Sequence, residues 1–85
     1  MYFVYLIQSL RNEKYYIGQT NNIDNRLNYH NSGYVKSTKN STPWRLVGFE
    51  KYATRSEARY REYQIKNHSD QKKKFINKVL NEKNK

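Results

Sequence analysis

Phe3-Val4-Tyr5-Leu6-Ile7 is apolar at every position, and this run limits the fold more than any other stretch of the chain. Read with period two, it puts Phe3, Tyr5 and Ile7 on one face and Val4 and Leu6 on the other, so both faces require cover. A strand with two apolar faces belongs in the middle of a sheet. Leu10-Arg11-Asn12-Glu13 has turn chemistry and the length of a longer hairpin loop, which predicts Lys14 to Thr20 returning antiparallel. On that returning strand Tyr16 and Gly18 share a face.

Beyond the hairpin the pattern turns helical. Asn21 or Asn22 can cap a helix with Asp24 in its first turn and an end near Asn31-Ser32-Gly33, where Gly33 suits the left-handed position past the last turn. Ile23, Leu27 and His30 form its inward stripe, and Arg26 borders that stripe beside His30. Both polar residues therefore face the sheet that carries the tyrosines. Tyr34 to Thr42 is an exposed, basic, Ser/Thr-rich segment closed by Pro43. Trp44 to Tyr52 reads as a third strand with Leu46, Val47 and Phe49 in the core, weakened in its middle by Gly48. Thr54-x-x-Glu57 is a capping box opening a second helix to about Lys66. A third helix, from about Gln71 to Leu80, packs Phe75, Ile76, Val79 and Leu80 and turns Lys72, Lys73, Lys74 and Lys78 outward. The result is an α+β fold: a small central antiparallel three-stranded sheet flanked by helices, in the order β-β-α-β-α-α. Residues 1–80 form one domain, and 81–85 are expected to fray as a basic tail.

Eighty-five residues sit near the lower limit for a core that needs no staples, and there is no cysteine to supply a bridge or a thiolate zinc site. Nine tyrosines, three phenylalanines and one tryptophan must provide the buried area. No apolar run approaches the roughly 20 residues of a membrane span, and Met1 leads straight into a strand, so the expectation is a soluble cytoplasmic protein without membrane insertion. The net charge of +10 calls for a polyanionic partner. Nucleic acid fits best; an anionic membrane surface fits poorly, because the apolar face of the third helix is needed for the core. Lys36, Lys39, Lys72, Lys73 and Lys74 are the candidate phosphate contacts.

The second helix carries an anomaly. Ala58, Glu62 and Ile65 fall at i, i+4 and i+7, which places a carboxylate on the face due for burial. A buried charge needs a counter-ion, and either Arg26 or a divalent metal would serve. Tyr5, Tyr16, Arg26, His30 and Glu62 together form a candidate site for phosphodiester hydrolysis. A single hard cation, Mg²⁺ or Mn²⁺, accepts one carboxylate along with water and substrate phosphate, so Glu62 would suffice as its protein ligand where a metal, and not Arg26, is the counter-ion. Arg26 forks onto phosphate oxygens and offsets charge that grows in the transition state. A phenol of ordinary pKa ~10 takes a proton from water only where positive charge lowers that value, which points to Tyr5 or Tyr16 near Arg26. His30 passes the proton onward or is itself the base. Gly18 would let substrate approach the sheet closely.

These residues carry a resemblance. Val4-Tyr5 followed by Tyr16-Ile17-Gly18 resembles the signature of the GIY-YIG nuclease superfamily, with Phe3-Val4 standing where the first motif has Gly-Ile. Arg26 ten positions past Tyr16, His30 one turn further, and Glu62 closing a Glu-Ala-x-x-x-Glu stretch match the superfamily's spacing. Lys36-Ser37-Thr38-Lys39 and Pro43-Trp44 resemble its small stand-alone bacterial members, and the likeness spans residues 2 to about 66. The resemblance implies a single-metal hydrolytic site on the matching tyrosines, arginine, histidine and glutamate. It departs at Gln19, where some repair-type members have lysine, and in lacking a DNA-recognition domain. Substrate choice then rests on the basic loop and helices or on a protein partner. The reading is a metal-dependent endonuclease for DNA in preference to RNA, structure-selective in repair or recombination. The alternative is a nucleic-acid-binding module that keeps the site without turnover.

Overall fold

The computed structural model describes residues 1–83, with side chains through residue 82. Its elements run β1 (Tyr2–Ser9), β2 (Tyr15–Thr20), α1 (Ile23–Asn31), a 3₁₀ turn (Lys39–Ser41), β3 (Trp44–Tyr52), α2 (Arg55–Asn67) and α3 (Ser69–Lys83). The three strands lie in the order β2-β1-β3, both pairings antiparallel. The doubly apolar strand is therefore the central one, as its sequence requires.

Each face of β1 has its own cover. Val4 and Leu6 join Ile17 and Val47 beneath α2 and α3, whose Ala58, Ile65, Phe75 and Val79 complete the larger core. Leu6, Ile65 and Phe75 are fully buried, and burial of each such side chain stabilises the fold by about 1.5–3 kcal/mol. Tyr5 and Ile7 lie on the opposite face with Trp44, packed by Leu27 of α1 and by Tyr16, Leu46 and Phe49. The two helical layers thus do different work: α2 and α3 close the apolar core, and α1 covers the tyrosine face.

Local chemistry sets the ends of the helices. Asn22 accepts the Asn25 N–H at 3.1 Å and starts α1. At its far end Gly33 adopts a φ of 84° and donates its N–H to the His30 carbonyl at 3.3 Å, which satisfies an otherwise unpaired helix carbonyl. Thr54 caps α2, accepting the Glu57 N–H at 3.2 Å and donating its hydroxyl to Glu57 Oε1 at 3.0 Å. In β3 one residue is extra: Leu6 pairs with Gly48 and Ile7 with Leu46, leaving a bulge at Val47. A Cβ on Gly48 would run into Val79 of α3, so this glycine marks a close helix-on-strand approach. The third helix is longer than its apolar stripe, starting at Ser69 and continuing through Lys83. Three of the five residues expected to fray are thus helical, and residues 84 and 85 lie outside the described ones.

Candidate active site

Register brings the two tyrosines together. Tyr5 pairs with Gly18 and Ile7 with Tyr16 across β1 and β2, and since cross-strand partners share a face, Tyr16 and Gly18 lie beside Tyr5. Gly18 has a different use from the one expected. A Cβ at this position would lie 2.7 Å from Cζ of Tyr5, so the glycine makes room for the Tyr5 ring and not for substrate.

His30 links α1 to this hairpin. It is 1% exposed, and both ring nitrogens are engaged: Nε2 lies 2.9 Å from the Tyr5 hydroxyl and Nδ1 lies 2.9 Å from Oγ1 of Thr38. The Thr38 hydroxyl itself is 3.4 Å from the Val35 carbonyl, which can only accept. That network assigns the ring proton to Nδ1, leaving Nε2 to accept from the Tyr5 O–H. Tyr16 packs edge-on to the same imidazole, with centroids 5.0 Å apart. Thr38 is fully buried in a segment read from sequence as exposed. It receives its place from Trp44, whose indole N–H donates to the Thr38 carbonyl at 2.9 Å. Asn31 ties the end of α1 to β3, its amide oxygen accepting the Trp44 N–H at 2.6 Å and its amide nitrogen donating to the Trp44 carbonyl at 3.0 Å.

Arg26 and Glu62 reach the same phenol as charges. Burial, first of all, pushes the Tyr5 hydroxyl above its ordinary pKa; Tyr16 and Glu62 add to this, while Arg26 opposes it. The arginine therefore does not lower the Tyr5 pKa below the ordinary value, as the sequence reading required, because burial outweighs it. His30 is pushed down to about 4, chiefly by burial and then by Arg26, so it is neutral at physiological pH.

Glu62 departs most from expectation. Ala58 and Ile65 of its stripe are buried against the Val4 and Leu6 face, whereas Glu62 lies to one side with its side chain 24% exposed. Its cation is neither Arg26 nor deep in the core: Nζ of Lys66 lies 3.1 Å from Oε2, one helical turn away. The same ammonium stands 5.1 Å from the centroid of the Tyr16 ring. Since β2 is an edge strand, Glu62 and Lys66 of α2 reach the tyrosine side around that edge. The most enclosed carboxylate is instead Glu50, bonded by Arg61 Nε at 3.0 Å, Lys78 Nζ at 2.9 Å and the Tyr52 hydroxyl at 2.7 Å. Burial raises its pKa, but those three hydrogen bonds outweigh it and hold the carboxyl below its usual range. Glu50 clamps β3 to α2 and α3, away from the phenols.

The basic candidates divide between the layers. Lys36 and Lys39 flank Thr38 on the α1 side and are exposed. Lys72, Lys73 and Lys74 are exposed on α3, whose packing face lies against the reverse of the sheet. One protein surface therefore does not gather all five. Beside Arg26, a shallow groove of about 390 Å³ is lined by Thr20, Asn21, Asn22, Asn25 and Tyr29. Among the described residues no three His, Cys, Asp or Glu side chains converge as a metal cluster, and no helix is long and apolar enough to cross a membrane.

Comparison with known proteins agrees with this fold. Residues 1–75 match the GIY-YIG catalytic domain. The chain is 38% identical over 76 residues to a UPF0213 protein of Haloquadratum walsbyi, covering 88% of this chain and 84% of that one. It is 40% identical over 67 residues to a UPF0213 protein of Clostridium perfringens, covering 78% and 71%. The solution NMR structure of a UPF0213 protein from Bacillus halodurans superimposes with a TM-score of 0.55 at 31% identity, covering 93% of this chain and 85% of the other. The matched domain brings nuclease-type activity in general, with a nucleic-acid substrate and a general use of divalent metal ions. By domain match and by relatives alike, this chain belongs to the GIY-YIG family.

Proposed function

We propose that the protein is a metal-dependent endonuclease hydrolysing phosphodiester bonds in DNA, in the cytoplasm, with a structure-selective role in repair or recombination. Tyr5, Tyr16, Arg26, His30 and Glu62 carry the chemistry. The observation that supports it most is the convergence on one hydroxyl: Tyr5 is bonded to His30 at 2.9 Å and acted on by the charges of Arg26 and Glu62. Groups from three separate elements, β1, α1 and α2, gather there, which core packing alone does not demand.

Each side chain has a task. Arg26, exposed beside the groove, takes the phosphate and neutralises charge that builds in the transition state. Tyr5 is too costly to ionise alone, so it acts as a relay: its oxygen accepts a proton from the attacking water while its own O–H proton passes to Nε2 of His30. Burial is the larger cause of the depressed His30 pKa and the charge of Arg26 the smaller; phosphate bound at Arg26 offsets the second, which makes the imidazolium more accessible at that moment. Thr38 holds the imidazole in the accepting tautomer. Glu62 suits a hard cation held otherwise by water and substrate, because its carboxylate is partly exposed and only Oε2 is engaged by Lys66. Mg²⁺ or Mn²⁺ bound there would stabilise the leaving oxygen.

The ammonium of Lys66 already beside the Glu62 carboxylate also supports a second reading, a nucleic-acid-binding module that keeps the site geometry without turnover. Plasmid nicking with Mn²⁺ or Mg²⁺ separates the two. Nicking that disappears in Glu62→Gln while DNA affinity persists is the nuclease result; equal nicking by both proteins removes Glu62 from the chemistry.

A further inference from the structure

Tyr29 and Tyr34 stack on each other at the margin of the Arg26 groove, with ring centroids 5.7 Å apart and planes 27° from parallel. The turn at Gly33 carries the chain back so that Tyr34 meets the last turn of α1. Burial does not account for the pair, since the two residues remain 47% and 75% exposed. Arg26, one turn before Tyr29, holds its guanidinium carbon 5.8 Å from the Tyr29 ring centroid. It is the same arginine whose charge reaches Tyr5 and His30. Arg26 and Tyr29 also share the polar groove with Thr20, Asn22 and Asn25.

We propose that Tyr29 and Tyr34 form a stacking platform for an unpaired nucleobase on the strand whose phosphate lies at Arg26. The inference rests on the nuclease reading and extends it to a preference for single-stranded or locally unpaired nucleic acid. An aromatic face accepts any base by its π-surface, and a neighbouring guanidinium adds to the stack. In a duplex that surface is already occupied by adjacent base pairs, so the platform discriminates by strandedness and not by sequence. The net charge of +10 supplies the attraction that brings the strand to the surface. Tyr34, the more exposed of the two rings, offers its outer face to the base.

The test is fluorescence anisotropy without divalent metal, using a labelled oligothymidylate, an abasic oligonucleotide and a duplex of equal length. Tyr34→Ala and Tyr34→Leu should each weaken binding of the oligothymidylate roughly ten-fold, Tyr34→Phe should bind as the wild type does, and duplex affinity should stay within two-fold or so. On the abasic strand the four proteins should be alike. Equal loss on single strand and duplex, or no loss on either, overturns the platform. So does a Tyr34→Ala protein that melts lower yet keeps its single-strand affinity, which assigns the pair to capping α1. Because nothing is cleaved in this measurement, its failure is separate from a failure of the Glu62 nicking assay.

Discussion

Lys66 holds the Glu62 carboxylate at 3.1 Å across one turn of α2, so the acid expected to need a cation from elsewhere carries one on its own helix. An exposed pair of this spacing contributes about 0.3–0.5 kcal/mol, too little to keep a divalent ion out. Lys66→Met should therefore lower the Mn²⁺ concentration that half-saturates nicking, by about two-fold. A metal titration of initial rates checks this. A rise in the requirement would instead give the ammonium a part in holding phosphate.

His30 makes stability depend on pH. Its folded pKa is pushed down to about 4 from an ordinary 6.5, so between those values the unfolded chain binds a proton that the folded chain does not. Stability is complete above pH 6.5 and declines as the pH falls toward 4, by on the order of 2–3 kcal/mol. Urea unfolding across this range should show the slope in the wild type and lose it in His30→Gln. An NMR titration of the imidazole should give a midpoint near 4.

Thr38 should matter to turnover more than to binding. Thr38→Val keeps the shape of the side chain and removes the oxygen that Nδ1 meets at 2.9 Å, freeing the ring to take the wrong tautomer. Nicking rate should fall by at least ten-fold while DNA affinity stays constant, and Thr38→Ser should restore most of the rate. Comparable losses in Thr38→Val and Thr38→Ser would reduce Thr38 to packing.

Gly18→Ala should displace the Tyr5 ring, because the added carbon would lie 2.7 Å from Cζ and 3.0 Å from Cε2. The ring is 4% exposed and cannot swing freely into solvent. A cost of about 1–3 kcal/mol is expected from overpacking, together with loss of the His30 contact. In a Tyr5→Ala background the same substitution should cost far less, and a double-mutant cycle on denaturation midpoints measures the coupling. Additive costs would contradict the clash.

Glu50→Gln should reduce stability by about 1–3 kcal/mol, since it weakens charge-assisted hydrogen bonds from Arg61 and Lys78. The folded pKa of Glu50 lies below its ordinary value, so its stabilisation is present above the usual carboxylate range and is lost as pH falls beneath it. Thermal melts of the variant should show less acid sensitivity below that range, with cleavage at permissive temperature unchanged.

Periodicity made the hairpin, all three helices and the third strand legible, and the Asn22, Gly33 and Thr54 caps fixed helix ends because each is a local device. The Tyr5–His30 approach was legible for a related reason: strand alternation and the helical stripe each set one side chain's direction. Thr38 gave no such signal, being a single buried polar residue in a segment without period. Glu62 was placed too deep because a spacing of i, i+4 and i+7 defines a stripe wider than the strip of helix the sheet covers. Lys66 at i+4 was the available clue to its partner.

The extra residue at Val47 settles where the acidic side chains go. Strict alternation from Leu46, which shares a face with Tyr5 and Ile7, would have turned Glu50 toward the phenols as a second anion. The bulge reverses the parity, sending Phe49 to the Tyr5 side and Glu50 to Arg61 and Lys78. One inserted backbone unit thus keeps Glu50 off the face that carries Tyr5 and leaves Glu62 as the carboxylate whose charge reaches that phenol from the sheet edge.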